Sequence, residues 1–531
     1  MKRLFSALLT FVLILSLTAC GDKGAGAAPE DPEPSQSTET PAPEKAPEKV
    51  PEKDPEPASA PAVVPLRIMK GPIYYDEWDE NFTPLISATC EDLALMEDLP
   101  ALASALYELN TDQSVGAYSF VQEWRPDAKE FLTQHPDFFG GFTFESAYTV
   151  QRADSLILSL REDFSSYTGG VHGNYGVWGY SFDTATGERL ALEDILTDTE
   201  GLDQIIAEKI RAKYSFEPFP SLDETLAEYA PEDYAWTLGY QGITFYFSPY
   251  EIASYAAGLL TATVWFDEMP ELFREEYMIA PKSGYAVGLP NWYDLDVDLH
   301  PENAAKDTLS VWEQEGEYGT KHLGIRLNGQ EFVDESWSAY YITPCLICLE
   351  GEFYLMAEGS SDNDYCTMYI YSLGGSTPNL TAELSGVGFV SHWHPEAGQD
   401  GIYYTEIFND PALVTLGSKC DLLGTKTACR AYTFSPGGAL IPLADVYDLD
   451  ASLDPIISTV PLDVTLLPHN SVETIPAGTE FYFLRTDNET YVDLMMADGR
   501  ECRIVIEYRD WTPTINGVPE WDCFENLMYA G

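Results

Sequence analysis

The chain encodes an α+β domain, an antiparallel sheet with packed helices, over residues 65–285, and an all-β region after it. Three features lead there. Between 65 and 285, apolar residues recur with period two in some stretches and with helical period in others, the mark of helices laid on a sheet. After 290 the helical period disappears and short alternating stretches follow one another. Before 65, residues 21–64 have proline every few positions and almost nothing to bury, so the folded part begins near 65.

The start of the chain joins basic MKR to the apolar run LFSALLTFVLILSL and ends in LTAC, at Cys20. That run is too short for a stable membrane span. It resembles a bacterial lipoprotein signal over residues 1–20, with a small residue before the cysteine. The resemblance implies that Cys20 becomes the mature N-terminus and carries lipid, holding the protein on the outer side of the cell membrane. More than one acyl chain makes such anchoring stable. Residues 21–64, including PAPEKAPEKVPEKDPEPASAPAVVP, then read as a disordered, partly extended stalk.

Within 65–285, CEDLALMEDLPALASALYELN has helical spacing and stops at an asparagine, which predicts a helix. FTFESAYTV and DSLILSLREDF alternate on either side of the turn RAD, which predicts a hairpin. SSYTGGVHGNYG follows at once. YGVWGYSFDTATGERLALEDIL gives a strand, a TATG turn and a short strand. GLDQIIAEKIRAKY is amphipathic and helical, with Leu202, Ile205, Ile206 and Ile210 on one side. GITFYFSPYEIASYAAG is a strand running into a loop of small residues, LLTATVWF is another strand, and DEMPELFREEY is a final helix.

Residues 290–460 form a β-rich domain with an internal echo. CTMYIYSLGG at 366–375 matches CRAYTFSPGG at 429–438. Two such units do not close a propeller, so a small sandwich or partial array is expected. Residues 461–531 hold three alternating strands with Asp-Asn and Asp-Gly turns, as a small β domain or a continuation of the β region.

The formal net charge is −59; residues 1–20 carry +2 and 21–64 carry −6, which leaves −55 on the remainder. Binding nucleic acid through a basic surface is excluded. A cationic partner is drawn in. Eight cysteines follow Cys20. Cys420 with Cys429, and Cys502 with Cys523, are placed for disulfides; the alternative is packed thiols. Cys345-x-x-Cys348 lies in PCLICLEGEFYL, a buried-strand pattern rather than a redox or zinc site.

The motifs YTGGVHGNYG, FDTATGERLALEDIL and GITFYFSPYEIASYAAG, in that order and spacing, resemble the extracytoplasmic domain of RsiV-type proteins and the domain preceding the catalytic part of PdaC-type peptidoglycan deacetylases, the DUF3298-type family. The resemblance covers roughly 65–285 and leaves 290–531 unaddressed. RsiV-type domains bind lysozyme, a strongly basic protein, and an anionic body suits such a partner. This chain lacks the family's sigma-binding segment and transmembrane helix, so anti-sigma signalling is not implied. It also lacks a TFDDG-like aspartate pair with matching histidines, so deacetylation is not implied.

His172 either belongs to a joint in which Gly169 and Gly170 supply left-handed backbone, or touches a ligand. Tyr167, Pro249, Tyr250 and Tyr255 are either turn residues or a binding surface, since tyrosine suits interfaces. His392 and His394 share a strand face without an evident third metal ligand. Asp294, Asp296 and Asp298 fail the EF-hand pattern, because Leu299 stands where glycine is needed. The expected protein is a non-enzymatic, lipid-anchored surface binder of a basic protein such as lysozyme, or a module binding peptidoglycan glycan. No cofactor, metal site or nucleic-acid partner is expected.

Overall fold

A computed structural model of the protein describes residues 62–529, apart from 136–137, 139, 216–218, 290–293, 304, 362–364, 395–400 and 451–453. The leader, Cys20 and the stalk up to residue 61 lie outside the described residues. The described residues form one compact unit.

The first layer is a seven-stranded sheet. Its strands include β1 (Ile68–Trp78), β2 (Pro84–Leu95), β3 (Phe142–Ala153), β4 (Ile157–Tyr167) and β5 (Asn174–Asp183), side by side in that order. Neighbours pair antiparallel except β2 and β3, which run parallel and are joined by the helix α1 (Pro100–Gln134). The expected hairpin at β3–β4 is present. Asp154 makes its turn by accepting the Leu156 and Ile157 amides at 2.8 and 3.1 Å.

The helix expected over 90–110 is displaced. Residues 90–95 complete β2, and α1 starts at Pro100 and runs on to Gln134. Asn110, read from sequence as a stop, has a different task. Its amide accepts from Leu93 N at 3.1 Å and donates to Leu93 O at 2.9 Å, so it copies the hydrogen-bonding edge of a strand for β2. Leu102, Leu106 and Leu109 pack on Ile68, Tyr148, Leu158 and Leu160. Further along α1, Ala117, Val121 and Ala128 pack on Ile86, Ala88, Cys90 and Phe142.

On part of the opposite face lies a three-stranded sheet of β6 (Ala235–Leu238), β7 (Gly242–Phe247) and β8 (Leu260–Trp265). The amphipathic helix α2 (Leu202–Lys213) backs it, burying Leu202, Ile206 and Ile210 against Phe245, Phe247 and Val264. The final helix expected at DEMPELFREEY is two separate 3-10 turns, Pro270–Leu272 and Glu275–Met278. Phe273 between them is extended and pairs back with Leu196.

After residue 285 the chain is β-rich, with a four-stranded, a five-stranded and a twelve-stranded sheet. The five-stranded sheet is buried on both faces. Leu346, Cys348 and Leu355 face one core, while Cys345, Ile347 and Met356 face another. The echo strands, Cys366–Ser372 and Lys426–Ser435, sit in different sheets. They meet across a shared core, Met368 and Ile370 with Tyr432 and Phe434, so they are two walls of a sandwich. Strands Glu480–Thr486, Tyr491–Met496 and Glu501–Val505 form the expected C-terminal meander.

Pairing also crosses the 285–290 boundary. Ile402–Ile407 joins the first sheet beside β1, with Ile68 opposite Ile407 and Lys70 opposite Thr405, and Ser391–His394 extends that edge. Tyr285–Gly288 in turn pairs with Cys345–Cys348.

None of the eight described cysteines is in a disulfide, which corrects both suggested pairings. Register explains the first case: Cys420 stands opposite Lys426, and Cys429 opposite Gly417. Cys345 and Cys348, three apart on one strand, point to opposite faces and have no common ligand position. Burial pushes both thiols up.

A buried carboxyl lies beneath α1. Glu162 accepts from Ser146 Oγ at 2.8 Å and from Tyr180 Oη at 2.9 Å, and burial holds its carboxyl above the ordinary glutamate value of 4.5. A carboxyl raised by folding binds its proton more tightly in the native state. Its contribution is therefore complete below the unfolded value and is lost as pH climbs through the folded one. Relative to wild type, Glu162→Gln should flatten the fall in stability above pH 4.5, read from urea midpoints across the pH range. An unchanged pH slope would remove Glu162 from that role.

Candidate functional site

The site predicted from SSYTGGVHGNYG is the connection between β4 and β5. Gly169 and Gly170 have φ of +83° and +106°, the left-handed region that glycine enters freely. A side chain on Gly169 would also press on the Phe131 ring of α1. Tyr167 Oη donates to Gly170 O at 3.2 Å and closes the loop on itself.

His172 is exposed. Its Nδ1 donates to Gly173 O at 2.9 Å, and its ring stacks on Tyr255 at 4.0 Å between centroids. Tyr255 Oη donates to the same Gly173 carbonyl at 2.9 Å. Tyr255 also meets Tyr250 at 5.5 Å and the edge of Tyr175 at 5.7 Å. The structure thus brings His172 together with Tyr250 and Tyr255, although the sequence separates them by about 80 residues. The two glycines belong to the same loop as His172, Tyr167 ends the strand that leads into it, and Pro249 belongs to the facing loop.

The facing loop also guards the sheet edge. β5 is an outer strand, and its outward Val177 amide donates to Ser248 Oγ at 3.2 Å. Ser248 N in turn donates to Glu251 Oε2 at 3.0 Å, which fixes the SPYE turn. Tyr250 then takes φ +72° and stands 65% exposed. A bulky side chain in that backbone region is strained, and the strain presents the ring to solvent.

Tyr175, Ser248 and Glu251 were missed from sequence. Tyr175 lay inside the quoted motif, between glycines that mark close packing. Burial, and Tyr255 next to it, raise its hydroxyl above the ordinary tyrosine value. Ser248 and Glu251 carry no signal beyond a strand end.

The arrangement is suited to contact. The hydrogen bond of His172 runs to backbone, and its ring lies on tyrosine. Val171 is fully exposed beside it. Among the described residues no group of three His, Cys, Asp or Glu side chains converges on a common point. Asp294, Asp296 and Asp298 are instead paired with Arg326, Lys213 and Lys306. His392 lies on the edge strand Ser391–His394, and the side chain of His394 lies outside the description.

Sheet, helix and loop edge together define an α+β domain with an aromatic rim. Residues 193–267 match the family model described as protein of unknown function (DUF3298), so the chain carries a DUF3298 domain, consistent with the RsiV- and PdaC-type resemblance. Pro249, Tyr250 and Tyr255 fall inside the matched segment; Tyr167 and His172 precede it. Two solved structures are similar to this chain. One is a DUF3298 family member from Bacteroides fragilis, 18% identical, covering 40% of this chain and 94% of its own, with a TM-score of 0.32. The other, a DUF3298 family protein from Pseudomonas aeruginosa, is 15% identical, covering 41% and 98%, with a TM-score of 0.30. No curated protein matches the chain.

Proposed function

We propose that the protein is a non-catalytic receptor on the outer face of the cell membrane, held by lipid on Cys20, and that its DUF3298 domain captures a basic protein such as lysozyme. The observation that carries this reading is the rim itself. His172 and Tyr250 are offered to solvent by two loops locked on one carbonyl, on a chain of net charge −59. Rigid aromatic anchors supply contact at low entropic cost, and the field supplies attraction. Titrating the purified protein with lysozyme at low and at physiological salt tests it. A complex that weakens with salt, and that loses about tenfold in affinity in Tyr250→Ala, is expected. No complex at either salt ends the reading.

A cell-wall glycan is the second reading, supported by Tyr250, whose exposed ring suits stacking on a sugar. Retention on purified peptidoglycan that resists salt would favour it over charge capture.

A further inference from the structure

The first sheet has a second open surface, away from α1. Tyr75 and Glu77 turn toward the helix, where they meet Ser114 and Arg125. The alternate residues of β1, Pro72, Tyr74, Asp76 and Trp78, therefore lie on the other face. There Tyr74 is 63% and Trp78 52% exposed. β2 sets Ser87 opposite Asp76 and Thr89 opposite Tyr74, and Ser87 Oγ donates to Asp76 Oδ1 at 2.8 Å. β3 adds Glu145, exposed and level with Thr89. Tyr403, 61% exposed, lies on the strand beyond β1.

The charge of this face is one-sided. Asp76 and Glu145 lie on it, with Asp79 and Glu80 at the β1–β2 turn, and Lys70, toward the far end of β1, is held by Glu91 at 2.8 Å. The exposed end of this face and the aromatic rim lie at the same end of the sheet. Ile86 is level with Phe142, and Thr143 with Tyr167, so the β1–β2 turn and the 168–173 loop share one end of the sheet.

We propose that this face is a docking surface for an extended cationic polypeptide segment, with arginine or lysine side chains over Tyr74 and Trp78 and with Asp76 and Glu145 as counter-charges. The proposal takes its partner class from the receptor reading and assigns part of the contact to a surface other than the loop edge. Spacing agrees with it. Tyr74 and Trp78 stand four positions apart on the strand, about 13 Å, which is also the separation of side chains i and i+4 in an extended partner. A cation above an aromatic ring with carboxylates beside it is held by two attractions that reinforce each other.

The test uses the whole protein and nona-arginine as the probe, at about 0.15 M salt, where diffuse attraction is screened beyond roughly 8 Å. The Tyr74→Ala/Trp78→Ala variant leaves the net charge untouched and should bind about tenfold more weakly, while Trp511→Ala, on the exposed turn between Glu507–Arg509 and Thr512–Ile515 of a separate sheet, should bind as wild type. In protein labelled with 5-fluorotryptophan, the Trp78 resonance, assigned through Trp78→Phe, should move on adding the peptide. This readout stands even if the double variant fails to fold. Equal affinity of a folded double variant, a silent Trp78 resonance, or movement with a hexamer of N-acetylglucosamine but not with nona-arginine, would each overturn the proposal. Lysozyme is absent from these measurements. Its failure to bind would therefore sink the receptor reading, while a Trp78 response would still support this face.

Discussion

Arg152→Met should lower folding stability by about 3–5 kcal/mol, read as a fall in the urea midpoint. The guanidinium is fully buried. It donates to Asp154 Oδ2 at 2.8 Å, to Tyr277 O at 2.5 Å and to Ile279 O at 2.9 Å, and lies 5.0 Å above the Tyr240 ring. One side chain thus joins the β3–β4 turn to the chain leaving the 3-10 turns and to the β6–β7 connection. Methionine keeps much of the volume but leaves the Asp154 carboxylate buried without its cation, and two carbonyls without a donor. Adding Asp154→Asn should recover part of the loss, because the orphaned charge goes with it. Arg152 lies at the end of the sheet away from the aromatic rim, so the folded fraction should keep its ligand affinity. A midpoint within 0.5 M of wild type would show that the pair is dispensable; the slope expected for a domain of this kind, at least about 1–3 kcal/mol per molar urea, sets that margin.

Gly179→Ala should cost about 3 kcal/mol, at the upper end of the range for an overfilled core. β5 crosses β6 here so closely that an added methyl would overlap the Trp236 carbonyl and press on its amide. Backbone meets backbone, so no rotamer change relieves it. β5 must shift, and Val177 and Ser248 shift with it. The substitution should therefore damage both stability and the aromatic rim, unlike Arg152→Met. Thermal unfolding together with lysozyme titration separates the two. Wild-type stability in Gly179→Ala would contradict the close crossing.

Sequence patterns gave the local pieces well where one element supplied its own signal. The β3–β4 hairpin was legible because Asp154 is a turn residue between two alternating runs, and α2 because its apolar side is continuous. Gly169 and Gly170 announced left-handed backbone, which they have. The failures have physical causes. Cys90, Leu93 and Leu95 fit a helical period by coincidence, while strand pairing with β1 decided their state. Asn110 looked like a stop because asparagine commonly ends helices, yet here its amide bonds a distant strand. Phe273 left a helical pattern to pair with Leu196. The partnership of His172 with Tyr255 was invisible for the same reason: neither residue carries a local trace of the other. The resemblance to RsiV-type domains nominated both loops, but not their meeting at Gly173 O.

The strand Ile402–Ile407 has a consequence for biogenesis. A ribosome delivers β1 hundreds of residues before the partner that closes its outer side. Until residue 407 emerges, the nascent first sheet keeps a bare backbone margin beside Ile68–Lys70. Truncation before that point should therefore release a sticky fragment, and a quality-control protease would find its target at the very edge that the finished molecule hides.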